Sequence, residues 1–137
     1  MKEKVLFVCT HNSARSQMAE GLMNALPGDR YEAFSAGTEP SHVNPHAIKS
    51  LSEIDIDISS NRSKDIHEFK GVKFDYVITV CDNAKERCPV FPRRGKHIHK
   101  GFADPSGVKG SDNQKLMTFR KARDEIRDWI QNNFQSV

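Results

Sequence analysis

Two short apolar runs, KVLFV at Lys4–Val8 and FDYVITV at Phe74–Val80, constrain the fold more than any other feature of this sequence. Neither alternates cleanly between apolar and polar residues, as a strand with one face in water would. A nearly continuous apolar strand is buried on both faces, the condition of a parallel sheet covered by helices. The intervening segments read accordingly. Ala14–Leu26 sets Met18, Leu22, Ala25 and Leu26 at helical spacing and ends at PGD, residues 27–29. Arg30–Ser35 alternates loosely as a second strand, closed by AGT. Asn44-Pro45 supplies a cap and a first-turn proline for a helix running into HAIKSLSE. A short helix is expected across Asn61–Phe69, and a weaker strand near His97–Phe102. In Asp112–Phe134 an apolar stripe of Leu116, Phe119, Ala122, Ile126, Trp129, Ile130 and Phe134 marks a long final helix, with Trp129 as a core anchor.

Strand–helix alternation with short connections predicts an α/β single domain over residues 1–137: a parallel four-stranded sheet flanked by helices on both faces. A chain of 137 residues supports one such core. Ligands in these sheets bind beyond the carboxyl ends of the strands. Cys9 directly follows the first apolar run and Cys81 the second, so both thiols are expected at one end of the sheet.

Several classes of function are disfavoured. Charged residues at 28% and hydrophobic residues at 36% suit a folded globular domain. No apolar run approaches the ~20 residues that span a bilayer. MKEKVLFVC lacks the apolar core and cleavage site of a signal peptide, so a cytoplasmic protein without membrane contact is expected. The net charge of +3 is spread along the chain, with its densest cluster, PRRGKHIHK, at 92–100. That cluster is read as a solvated face, and since aromatic residues are not interleaved with it, nucleic acid is not an expected partner. Three cysteines, Cys9, Cys81 and Cys88, are an odd number and do not suggest a structural disulfide framework.

The segment Cys9-Thr10-His11-Asn12-Ser13-Ala14-Arg15-Ser16 lies between a strand and an amphipathic helix. A tight loop leading into a helix turns backbone N–H groups inward as an anion nest. Arg15 adds a planar fork of donors suited to a tetrahedral oxyanion. The same positive field stabilises the thiolate of Cys9, so the residues that bind an anion also activate a nucleophile. Asn12 tolerates the left-handed backbone that a nest requires. Ser13 and Ser16 are either donors to the sulfur or ordinary helix caps. Asp104, in GFADPSG after a predicted strand, is the candidate to protonate a leaving oxygen, or else a plain Asp-Pro turn.

Cys81 and Cys88 are two helical turns apart, about 10 Å of rise. A disulfide needs Cα atoms roughly 4.4–6.8 Å apart, so the pair can bond only if the segment bends or unwinds. Pro89 disfavours helix at Cys88. These positions permit a relay: Cys9 attacks an oxyanion, Cys81 attacks the Cys9 adduct, and Cys88 attacks Cys81 by thiol–disulfide exchange. A phosphate ester needs no such relay, whereas a reducible oxyanion does.

Across CTHNSARSQMAEG, SAGTEPSHVNPHAI, DIDIS, VITVCDNAKERCPVFP, GFADPSG and FRKARDEI the chain closely resembles the thioredoxin-coupled arsenate reductases, which share the low-molecular-weight tyrosine phosphatase fold. The resemblance implies Cys9 as nucleophile on arsenate, Arg15 as oxyanion binder and Asp104 as general acid. It also implies a Cys9–Cys81 intermediate and a final Cys81–Cys88 disulfide reduced by thioredoxin, in a monomer that holds no cofactor and serves arsenic detoxification. The chain departs from the family at His11, often Gly, and at Ala14, sometimes Cys. Some members hold potassium through Asn, Glu, Ser and Asp. Asn12, Glu20 and Ser35 match, but Lys64 stands at the Asp position, so no metal site is expected, and Lys64 is read either as an ammonium replacing the cation or as a plain solvated lysine.

Three other readings compete. A phosphotyrosine phosphatase would use the same pocket, but Ser106 and Gly107 stand where phosphatases usually carry two substrate-guiding tyrosines. A zinc module from Cys81, Cys88, His97 and His99 has the wrong spacing, and the two histidines are read instead as opposite faces of a strand. A non-catalytic anion sensor leaves Cys81 and Cys88 without a role.

Overall fold

A computed structural model describes residues 2–26, 30–81 and 95–134. Cys88 and the bend expected around Pro89 lie outside the described residues. Four parallel strands, β1 (Glu3–Cys9), β2 (Tyr31–Gly37), β3 (Tyr76–Thr79) and β4 (Lys96–His99), form one sheet in the order β2-β1-β3-β4. The described α-helices are α1 (Arg15–Asn24), α2 (Pro45–Ser52) and α3 (Asp112–Asn133).

The two apolar runs occupy the sheet's centre. Val5, Phe7 and Cys9 point to one side of β1, where they join Met18 and Leu22 of α1, Leu51 of α2 and Phe119, Ile126 and Ile130 of α3. Leu6 and Val8 point to the other side, where Phe74, Val77, Phe34 and Phe69 cover them. On that second face the cover among the described residues is a 3₁₀ turn at Ile66–Phe69 and its aromatic neighbours, not a further α-helix. Burying a side chain the size of Phe7 or Phe119 contributes about 1.5–3 kcal/mol, which makes these rings the anchors between sheet and helices.

The expected short helix across Asn61–Phe69 is corrected to that 3₁₀ turn, entered through extended backbone. The physical reason lies in Lys64, whose N–H and C=O are both engaged elsewhere. The N–H donates to Asn12 Oδ1 at 2.8 Å, and the C=O accepts from Gly37 N–H at 2.8 Å. An α-helix across these residues would have claimed the C=O for the N–H of Glu68. β2 also runs two residues beyond the expected Ser35, because pairing with β1 continues to Cys9↔Gly37. His97 and His99 are both exposed on one side of β4 with Ile98 turned to the core between them, since residues two apart on a strand share a face. The α3 stripe is as expected, with Trp129 packed edge-on to Phe102 and Phe134.

The chain passes from β1 to β2 on one side and then crosses to β3 on the other. The sheet therefore changes direction between β1 and β3, the place where open α/β sheets open a ligand crevice at their carboxyl ends. Cys9 ends β1, and Cys81 follows β3 by two residues.

Candidate active site

The loop between Cys9 and Arg15 is held from outside. Thr10 C=O accepts from Glu39 N–H at 2.8 Å, His11 C=O from Ser63 Oγ at 2.8 Å and Ser41 N–H at 3.3 Å, and Ser13 C=O from Asn44 N–H at 3.0 Å. With those carbonyls fixed outward, the loop is left to present N–H groups inward. Asn12 sits in the left-handed region at φ 49°, as a nest requires. The helix that follows is open to an anion as well. The amino ends of α2 and α3 are closed by the side chains of Asn44 and Ser111, but α1 has no side-chain cap.

The orientation of the Asn12 amide is set by its neighbours. A backbone N–H can only donate, so the bond from Lys64 N–H identifies the Asn12 atom facing it as Oδ1. Gln17 Nε2 donates to the same oxygen at 2.9 Å. Asn12 Nδ2 is then turned to Ser16 Oγ and donates to it at 2.9 Å. The Ser16 hydroxyl that accepts this bond lies 3.2 Å from Cys9 Sγ, within hydrogen-bond reach of the sulfur. Ser16 is not a helix cap, since it lies inside the first turn of α1, which has no side-chain cap.

Cys9 is a free thiol with 3% exposure, and Arg15 is 4% exposed. Arg15 Nη1 donates to Phe102 C=O at 3.1 Å, and Nη2 lies 3.7 Å from Asp104 Oδ2. Phe102 N–H in turn donates to Val80 C=O. Val80, just after β3, therefore fixes the segment that carries the carboxylate, and that segment fixes the arginine. Asp104 thus lies against Arg15, at the end of the loop formed by Thr10, His11, Asn12, Ser13 and Ala14 and followed by Ser16. Cys81 is buried just beyond the end of β3, in the same core cluster as Cys9 and Phe102. Sequence reasoning missed Gln17 and Ser63, whose residue types carry no local signal, and Gly37, seen only as a strand terminator. Among the described residues no group of three His, Cys, Asp or Glu side chains is placed to hold a metal ion, and no helix is long and apolar enough to cross a membrane.

A loop of this construction places the chain in a recognisable group. Residues 4–137 match the low molecular weight phosphotyrosine protein phosphatase family. The chain belongs to this family. The arsenate reductase of Oceanobacillus iheyensis is 42% identical over 129 residues, 94% of this chain and 93% of that protein. That of Halalkalibacterium halodurans is 44% identical over 125 residues, 91% and 90% of the two chains. The solved structure of an arsenate reductase in its oxidized state superposes with a TM-score of 0.76 at 32% identity, covering 95% of each chain. A thioredoxin-dependent arsenate reductase of Corynebacterium glutamicum gives 0.65 at 30% identity, covering 96% of this chain and 61% of that one. A low molecular weight protein tyrosine phosphatase from T. tengcongensis gives 0.74 at 26% identity, covering 99% of this chain and all of that one.

Behind the family's loop lies a second polar cluster. Glu20 accepts from Ser35 Oγ at 2.8 Å and Asn61 Nδ2 at 2.9 Å, and the Lys64 ammonium stands 3.9 Å from it. Lys64 Nζ also donates to Arg62 C=O at 3.0 Å. An ammonium beside Glu20 does not fit an all-oxygen cradle for a cation. Burial pushes the Glu20 carboxyl up from its ordinary range, against the opposing pull of Lys64 and the two hydrogen bonds. Burial likewise lowers Lys64, against the pull of Glu20. A carboxyl raised on folding stabilises the fold best below its ordinary value, and the benefit is lost as pH rises through the folded value. Lys64→Met removes the one charge that counters this. The variant is expected to lose about 1–3 kcal/mol, less than the 3–5 kcal/mol of a fully buried broken pair, and to lose more at about pH 8 than at about pH 5. Thermal unfolding at the two pH values checks the sign.

Proposed function

We propose that this protein reduces arsenate to arsenite through three cysteines and is regenerated by thioredoxin, as part of arsenical detoxification in the cytoplasm. The observation that carries the reading is the placing of two buried cysteines, Cys9 and Cys81, at the carboxyl ends of adjacent parallel strands, the first of them opening the Cys9–Arg15 loop. The high similarity to proteins named arsenate reductases supports it.

Arsenate enters the nest and is held by loop N–H groups and Arg15. The Cys9 thiolate attacks arsenic, an S–As bond forms, and an As–O bond breaks as its oxygen takes a proton from Asp104 and leaves as water. Cys81 attacks the Cys9 sulfur; the S–As electron pair passes to arsenic, which leaves as arsenite with arsenic reduced from +5 to +3. Strand pairing brings Val80 N–H to Val8 C=O at 3.0 Å, so Cys81 begins one residue beyond the position level with Cys9. Adjacent strands run about 4.8 Å apart, a separation compatible with the span of a disulfide. Cys88 then attacks Cys81, frees Cys9 and leaves a Cys81–Cys88 disulfide, which the thioredoxin dithiol reduces. The name of the Corynebacterium relative supports thioredoxin as reductant. The protein works as a monomer without a bound cofactor.

Phosphatase action on aryl phosphates is the second reading, favoured by the family and by the T. tengcongensis likeness. The test is arsenate-dependent NADPH oxidation with thioredoxin and thioredoxin reductase. Wild type is expected to turn over, and Cys88→Ser to stop after one cycle with a Cys9–Cys81 disulfide visible by mass spectrometry. A wild type silent toward arsenate but brisk on p-nitrophenyl phosphate would replace this reading with the phosphatase one.

A further inference from the structure

The two oxygens of Asp104 have different surroundings. Oδ1 accepts from the Ser106 backbone N–H at 2.9 Å and from the Ser106 hydroxyl at 2.6 Å. Oδ2 lies 3.7 Å from Arg15 Nη2, on the side of the anion nest. Two donors occupy Oδ1 as an acceptor, so a proton carried by this carboxyl group resides on Oδ2. From this geometry we infer that Ser106 is a positioning residue, whose hydroxyl holds the Asp104 carboxyl so that the proton-bearing oxygen faces the bound arsenate. The inference rests on Asp104 being the general acid proposed above.

The step is balanced as follows. As the Cys9 sulfur bonds to arsenic and an As–O bond breaks, the proton on Asp104 Oδ2 passes to the departing oxygen and water leaves. The carboxylate that remains keeps both Ser106 bonds on Oδ1 and presents its charge on Oδ2 toward Arg15. A backbone N–H alone closes an ordinary Asp turn. The hydroxyl is the additional group, and at 2.6 Å from a carboxylate oxygen its hydrogen is committed there. Ser106 is exposed and fills no part of the core, so its removal leaves packing untouched.

The experiment measures the maximal single-turnover rate of arsenite release with excess enzyme, and the arsenate concentration giving half of it, for wild type, Ser106→Ala, Ser106→Thr, Asp104→Asn and the double variant. The affinity for inorganic phosphate is measured by calorimetry alongside. Ser106→Ala is expected to lower the maximal rate about 10- to 100-fold, the size of a hydrogen bond to a charged group, with half-saturation and phosphate affinity unchanged. Ser106→Thr is expected to restore the rate, and Ser106→Ala to add no further loss in the Asp104→Asn background. A wild-type rate for Ser106→Ala, or the same loss with and without the Asp104 carboxyl, overturns the positioning role. A wild-type rate for Asp104→Asn itself overturns the acid assignment beneath it, a separate and recognisable failure.

Discussion

Gly37→Ala is expected to lower arsenate turnover by about 100-fold while leaving a folded protein, because a shift of about 1 Å in a reacting group has effects of that order. A Cβ at position 37 would lie 2.5 Å from Thr10 O, 2.9 Å from Asn12 N and 2.9 Å from Cys9 O. All three are backbone atoms of the anion loop, so no flexible side-chain tip can swing aside. The requirement is space, since the end of β2 runs hard against the loop through the Cys9↔Gly37 pairing. The loop must move away, and its outward bonds to Glu39 N–H and Ser63 must stretch with it. Steady-state kinetics with circular dichroism checks this outcome; wild-type turnover in a folded Gly37→Ala would show that the loop tolerates the displacement.

Asn12→Ala is expected to destabilise the protein by about 2–4 kcal/mol. The Lys64 N–H, a donor stripped of its Oδ1 acceptor, costs about 1–3 kcal/mol, while Gln17 Nε2 keeps the Asn12 and Arg62 carbonyls. Alanine in the left-handed region adds about 1 kcal/mol more. Against a typical domain stability of 5–15 kcal/mol the loss is large, and urea unfolding would read it directly. Asn12→Asp separates stability from chemistry. It keeps the oxygen that Lys64 and Gln17 need but puts an acceptor where Nδ2 donated to Ser16. The Ser16 hydrogen is then committed to that acceptor and is not available to Cys9. The expected result is a smaller loss of stability with turnover still reduced at least tenfold.

The strands and the long helix were legible because their residues obey a period, and Cys9 and Arg15 because a strand-loop-helix junction makes their spacing meaningful. The helix expected over Asn61–Phe69 failed for a tertiary reason, since Lys64 uses its backbone to hold Asn12 and Gly37 rather than its own turn. No local pattern encodes such a borrowing. His97 and His99 were misplaced on opposite faces although strand period alone puts them together. Gly37 and Ser106 were visible as residues but silent as to role, because one acts through excluded space and the other through the choice between two oxygens of a neighbour. Ser16 stayed ambiguous in the sequence, since only the helix boundary at Arg15 shows that it is no cap.

The burial of Arg15 bears on the entropy of anion binding. Its side chain is 4% exposed and tied to the Phe102 carbonyl, so its rotamer freedom is lost when the chain folds. For a long side chain that ordering amounts to about 1.5–2 kcal/mol. An arriving oxyanion meets a guanidinium already set, and its association carries little of the entropy penalty that a loose arginine on the surface would impose. Affinity for the anion is thereby a property of the folded segment around Phe102, and whatever loosens that segment weakens binding without touching a single residue of the loop.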